Sequence, residues 1–411
     1  MLSRFFFGLG LLSATALVHP VLAGDARTLQ IVVSKDRQSL VVYDGSTVVA
    51  TSKVSTGKDG HHTPSGIFSI LEKERYHESN IYSNSPMPFM QRLTWSGIAL
   101  HESSFVPGYP ASHGCVRMPK AFAKMLYEMT ERGVHVIIGN EPVIPRPFNH
   151  TNLFHPEAPE APPLLSDAIL RPSIPYAAEK PVQVAMNDTK TITDAVANVV
   201  QDQSPIRILI TRRGLPETVI ELQRLLNQLG FSAGDEDGLL GPDTVEAINA
   251  FKQSHPLDFE NDKGLISQAL LRAVYAAAGK GEPPNGVIMV RQDFKPLLEA
   301  SVTIADPQMP LGTHFLTLHS MDRAAGKAEW YSVTLANRLS KDAMKRLGIA
   351  SRESSFVYDE TARALDRIIV PEETRRRIDD LLSAGSSLTI SDTGLGPETG
   401  KGTDFITLTR D

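Results

Sequence analysis

Cys115 is the only cysteine among 411 residues, and its neighbours are of the types a reactive thiol needs. A cysteine attacks carbonyl carbon as its thiolate, so some nearby group must take or hold the proton. His113 stands two residues before it in Ser112-His113-Gly114-Cys115-Val116-Arg117. His101 stands fourteen before it, at the end of the strand-like Gly97-Ile98-Ala99-Leu100. A strand followed by a returning loop can bring His101 beside Cys115. Arg117 adds a positive charge near the sulfur, and a guanidinium suits a substrate carboxylate. Gly114 lets a backbone pass closely, and the amides around Gly114 and Cys115 are candidate oxyanion donors. The competing reading is a buried, inert cysteine behaving as a small hydrophobe.

These residues need a frame. Residues 29–58 alternate apolar and polar positions, turn at Asp44-Gly45, and read as a meander of strands. His62-Thr63-Pro64-Ser65-Gly66 then gives a turn before a further short strand. Residues 119–132 open with proline, carry apolar residues at helical spacing and stop at Gly133. The segment 134–139 (VHVIIG) closes the unit as another strand. Residues 25–140 are therefore expected to form one strand-rich domain with one clear helix.

Beyond it, residues 141–205 are crowded with prolines and read as a linker; His150 and His155 within it read as loop residues. Residues 206–280 form a compact helical unit. Residues 286–411 return to strand-like alternation. In that last region Pro371 opens a helix that Gly385 ends, at the same spacing of fourteen as Pro119 and Gly133, and Pro310-x-Gly312 echoes Pro64-x-Gly66. Two readings fit: a diverged repeat of the first domain, or an unrelated strand–helix–strand unit. The glycine-rich stretch 394–402 lacks P-loop spacing and reads as a flexible turn. The fold class expected overall is α+β.

The chain opens with one cation, Arg4, an apolar stretch from Phe5 to Val18 and a small residue at Ala23, the layout of a signal peptide spanning residues 1–23. His19-Pro20 interrupts the stretch before the roughly 20 apolar residues needed to span a membrane. In an oxidising compartment structural cysteines pair, so a lone thiol calls for a chemical reason. A net charge of −6 supplies no basic stripe for nucleic acid. The cationic run Arg375–Arg377, followed by Asp379 and Asp380, reads as a solvated helix face.

The stretch from Met87 to Met118, with HTPSGIFSI upstream, resembles the L,D-transpeptidase catalytic domain over about residues 29–140. The family pattern is an upstream histidine, a loop, then Ser-His-Gly-Cys, an apolar residue and arginine. The resemblance implies Cys115 as nucleophile, His101 as general base and His113 as support for the thiolate or the oxyanion site. It places Ser112, Gly114 and Arg117 in the substrate site. Residues 215–277, with Leu222-Gln223 and the run from Asp237 to Thr244, resemble a peptidoglycan-binding three-helix domain. What these resemblances imply is an acyltransferase acting on peptidoglycan; the signal-peptide layout adds export, with the periplasm as the expected location. Its thioester with tetrapeptide stems of peptidoglycan would pass to an acceptor amine, which could be a second stem or an outer-membrane protein. A carboxypeptidase or hydrolase using water, and a non-enzymatic wall-binding scaffold, are the alternatives. No cofactor or metal is implied, and no membrane span remains after signal cleavage.

Overall fold

The computed structural model describes residues 27–79, 84–157, 204–256, 259, 264–350 and 360–410. The expected signal peptide and most of the expected linker, 158–203, lie outside them. The fold is α+β.

A six-stranded sheet forms the first layer. Its strands are β1 (Leu29–Ser34), β2 (Ser39–Asp44), β3 (Thr47–Lys53), β4 (Ser65–Ser69), β9 (His135–Gly139) and β18 (Thr407–Thr409), in the order β18-β4-β9-β1-β2-β3. β1 is buried along its whole length, its polar Gln30 and Ser34 included. Ile31 and Val33 face a core shared with Phe122, Ala123 and Leu126 of helix α1 (Lys120–Met129). Val32 faces the other way, into a cluster with Tyr43, Ile67, Ile137, Phe315, Val333 and Leu335. The chain turns at Gly45, whose φ of 58° a side chain would resist.

A four-stranded sheet, β5 (Glu72–Glu78), β6 (Pro86–Arg92), β7 (Ala99–Glu102) and β8 (Val116–Met118), lies in the same unit. Leu93, Leu100, Val116 and Met118 join the α1 core, so the sheet carrying the candidate site is held by the main layer.

The second large sheet has eight strands. They are β10 (Arg146–Phe148), β11 (Ile206–Arg212), β12 (Gly286–Gln292), β13 (Lys295–Ile304), β14 (Thr313–Asp322), β15 (Lys327–Leu335), β16 (Ile368–Ile369) and β17 (Ser387–Ser391). Two of these fall where the sequence points elsewhere. β10, inside the expected linker, pairs with β15. Nearby Leu153 and Phe154 sink into the second core, and Trp330 Nε1 donates to the Phe154 carbonyl at 3.0 Å. The linker thus begins as a docked strap. β11, inside the expected helical unit, pairs with β12 and β17 instead.

The helices α2 (Leu215–Gln228), α3 (Pro242–Ser254) and α4 (Gln268–Ala277) therefore sit within the β11–β12 hairpin. Arg213 N donates to Asn285 O at 2.9 Å, closing the hairpin beneath them. Their core holds Leu222, Leu225, Leu226, Ile248, Phe251, Leu270 and Val274. Gln223 is buried and organises the Asp237–Thr244 loop. Its amide donates to Asp237 Oδ1 at 3.0 Å and Thr244 Oγ1 at 3.0 Å, and its carbonyl accepts from Gly238 N at 3.0 Å. A buried amide needs such partners on both ends. Helices α5 (Lys341–Arg346), α6 (Glu360–Asp366) and α7 (Glu372–Leu381) complete the described elements.

Within the eight-stranded sheet, the order β14-β17-β11-β12-β13 repeats β4-β9-β1-β2-β3. The directions repeat as well: antiparallel, parallel, antiparallel, antiparallel in both runs. The two sheets are joined by the Val32–Phe315 cluster. Across the junction His135 Nε2 and Ser387 Oγ lie 3.2 Å apart, and Arg207 donates to the Gly133 carbonyl at 2.8 Å.

Candidate active site

β7 and β8 run parallel, with Leu100 opposite Val116 and His101 opposite Arg117. Side chains alternate along a strand. Leu100 and Val116, both fully buried, face the core, so His101 and Arg117 share the opposite face. Cys115, one residue before β8, falls on the Arg117 side and packs against Met87, Met90 and Ala99. The register therefore puts His101 and Cys115 on one face as diagonal neighbours.

The imidazole is oriented. His101 is buried, 8% exposed, and its Nδ1 lies 2.7 Å from the Glu102 carbonyl. A carbonyl only accepts, so Nδ1 carries the hydrogen and Nε2 keeps its lone pair. Burial lowers the His101 pKa to about 4, with the Arg117 charge acting in the same direction against the Glu102 bond. The thiol is also neutral at rest. Burial raises its pKa above the ordinary 9.0, outweighing the Ala99 amide and the guanidinium groups of Arg117 and Arg92. Cys115 Sγ donates to the Gly97 carbonyl at 3.3 Å. Thiol and imidazole thus rest uncharged. Such a pair can ionise the sulfur as it attacks, with the proton passing to the imidazole.

The loop that delivers Cys115 is built from buried hydrogen bonds. Ser112 is 1% exposed; its Oγ donates to the Cys115 carbonyl at 2.5 Å and accepts from Gly114 N at 3.1 Å. Both the Ser112 hydroxyl and the Gly114 amide are thus engaged within the loop that carries Cys115. Gly114 sits at φ +115°, and a Cβ there would lie 3.0 Å from Ile98 Cδ1. Its glycine identity therefore serves backbone conformation and close packing. His113 is exposed and its ring meets that of His61, centroids 4.6 Å apart. Slight desolvation, then Lys58, His61 and Arg117, lowers its pKa. His61 and His62 are exposed, as loop residues should be.

Two supporting residues escaped the sequence reading. Thr63 Oγ1 donates to the Gly114 carbonyl at 2.7 Å and accepts from Gly57 N at 2.8 Å. Gln38 is buried; its side chain brackets Thr56, accepting from Thr56 N at 2.9 Å and donating to Thr56 Oγ1 at 2.7 Å. The Thr56 carbonyl in turn receives the amides of Ala111 and Ser112. The signal for Thr63 lay in HTPSG, where it reads as part of a turn; Gln38 left none.

Residues 29–138 match the family model of the L,D-transpeptidase catalytic domain. They form an L,D-transpeptidase catalytic domain. Residues 216–259 match the family of peptidoglycan binding domains. Among solved structures, the chain is similar to an L,D-transpeptidase from Mycobacterium smegmatis at 23% identity, covering 27% of this chain and 58% of that one, TM-score 0.26. One from Stackebrandtia nassauensis is 30% identical over 28% of this chain and 58% of that one, TM-score 0.26. A third, from Xylanimonas cellulosilytica, is 26% identical over 28% and 61%, TM-score 0.26. The matches thus span less than two thirds of those chains. No curated protein matches. The transpeptidase domain contains every residue of the candidate site.

Proposed function

We propose that the protein is an exported cysteine L,D-transpeptidase acting on peptidoglycan, with Cys115 as nucleophile and His101 as general base. The observation that carries this reading is the parallel β7–β8 register, which sets an oriented, unprotonated His101 Nε2 on the face of Cys115. In the first step Sγ bonds to the carbonyl carbon before the terminal D-residue of a tetrapeptide stem, and its proton passes to Nε2. Collapse breaks the amide bond, His101 returns the proton to the leaving amine, and a thioester remains. In the second step an acceptor amine attacks the thioester, losing a proton to His101 as the thiol re-forms. Arg117, on the same face, suits the stem carboxylate or the charge that develops on sulfur.

The purified protein incubated with disaccharide tetrapeptide is expected to give cross-linked dimers by mass spectrometry. Tripeptide alone would identify water as the acceptor, and unchanged substrate would remove the enzyme reading. Export rests on the N-terminal sequence; among the described residues no helix is long and apolar enough to cross a membrane.

The helical domain supplies wall affinity in this reading, raising the local concentration of the catalytic domain on an insoluble polymer. Because Arg213 N and Asn285 O already meet, residues 214–284 can be replaced by a two-residue turn. That variant is expected to keep tetrapeptide turnover while sedimenting less with isolated sacculi. Equal sedimentation would make the domain a spacer.

The second sheet serves as a non-catalytic copy of the first. Ser55 bridges Arg117 antiparallel in the catalytic domain, and Thr303 pairs with Ile369 in the second. Counting back two residues sets Arg367 at the position of Cys115. Its guanidinium donates to the carbonyls of Ala305, Asp306, Met309 and Pro310, a structural plug in place of a thiol.

A further inference from the structure

One edge of the catalytic sheet is completed from the far end of the chain. β18 pairs antiparallel with β4: Thr407 opposite Ile67, Leu408 opposite Gly66, Thr409 opposite Ser65. Ile406 is 1% exposed and lies in the same core as Leu100, Val116 and Met118, which carry the site. The approach is close enough to dictate a residue of β4. Gly66 has φ +151°, and a Cβ there would fall 2.2 Å from the Thr407 carbonyl oxygen, so glycine is required by the strand laid against it.

Three residues before Gly66 stands Thr63, whose hydroxyl holds the Gly114 carbonyl at 2.7 Å. A short path therefore leads from β18 through Gly66 and Thr63 to the residue before Cys115. The tail is also fastened by the second unit. Asp404 Oδ2 lies 3.4 Å from Arg207 Nε. The Arg291 guanidinium donates to the carbonyls of Thr403 at 2.7 Å and Gly400 at 3.0 Å.

We propose that β18 is a positioning element of the active site: its pairing with β4 fixes Gly66 and Thr63, and through Thr63 the loop that aims Cys115. This rests on Cys115 being the nucleophile. A displacement of about 1 Å at such a point costs on the order of 10²-fold in rate. A chain ended after Gly402 and a full-length Leu408→Pro variant, which retains the Asp404 and Arg291 anchors, test the idea. The readouts are kcat and KM on disaccharide tetrapeptide, the iodoacetamide alkylation rate of Cys115 by intact mass, and thermal unfolding by circular dichroism.

Both variants are expected to lose at least about tenfold in kcat with a smaller change in KM, to alkylate Cys115 at an altered rate, and to keep a cooperative unfolding transition. A synthetic peptide spanning residues 403–410 should restore the truncated chain saturably. Leu408→Val, which keeps the strand, should behave as the unaltered protein. Unchanged kcat and alkylation in either variant would overturn the proposal. So would loss of the unfolding transition in Leu408→Pro, which would make β18 purely structural. Failure of the nucleophile assignment looks different: turnover would then be indifferent to Cys115 while its alkylation still responds to the tail.

Discussion

Cys115→Ala is expected to abolish both cross-linked dimer and tripeptide from disaccharide tetrapeptide, a loss on the order of 10⁴-fold or more. The reason is specific to this chain. With no other cysteine, no second thiol can take over; in the proposed reading of the second sheet as a copy, Arg367 holds the position of Cys115, its guanidinium spent on four carbonyls. Intact mass makes the test sharper than turnover alone. The unaltered protein should gain the mass of the stem less its terminal residue, and the alanine variant none. Sacculus sedimentation should be the same for both, because α2–α4 lie on another unit. Retained turnover in the variant would exclude Cys115 as nucleophile.

The second large effect concerns His101. His101→Ala is expected to lower kcat/KM by about 10²–10⁴-fold at neutral pH, and its pH profile carries the mechanism. In the unaltered protein the neutral imidazole is the working form. Its pKa is about 4, so kcat/KM should fall only as pH drops through about 4 and stay level from about pH 6 to 8. Without the imidazole, attack depends on thiolate formed by the solvent. The thiol pKa lies above 9.0, so thiolate and rate should rise about tenfold per pH unit across the same range. A level profile in the alanine variant, or an unaltered rate, would remove His101 as base. His113→Ala, at an exposed ring, should have the smaller effect of the two.

The candidate site was legible because its residue types stand together in one short stretch. The histidine at the end of GIAL, the loop and SHGCVR suffice to propose the pair, and the β7–β8 register puts them on one face. Local elements were legible for the same reason. The helix expected over 119–132 spans Lys120–Met129, and the turn at Asp44-Gly45 separates β2 from β3. Partners were not legible. Residues 206–212 read as the start of a helical unit because helices follow directly, yet their hydrogen bonds go to β12 and β17. An apolar run shows that a strand is buried and says nothing of which strand lies beside it. Arg146–Phe148 read as linker because prolines surround it, and a proline can occupy an outermost strand. The glycine-rich stretch near 400 read as a flexible turn, while Arg291 pins the carbonyls of Gly400 and Thr403. Gln38 and Thr63 illustrate the remaining gap: a buried polar side chain declares its role only once its acceptors are in place.

The antiparallel seam between Ser65–Ile67 and Thr407–Thr409 also constrains biogenesis. A ribosome delivers the chain from its N-terminus, so β4 waits, with one margin unmatched, until β18, about 340 residues further along, has been made. Joining segments so distant in sequence is slow compared with closing a local hairpin. The catalytic layer is therefore unable to finish folding before β18 has been made, although its first strand lies far earlier in the chain, and a chain cut short before β18 would carry every reactive group and an unfinished sheet.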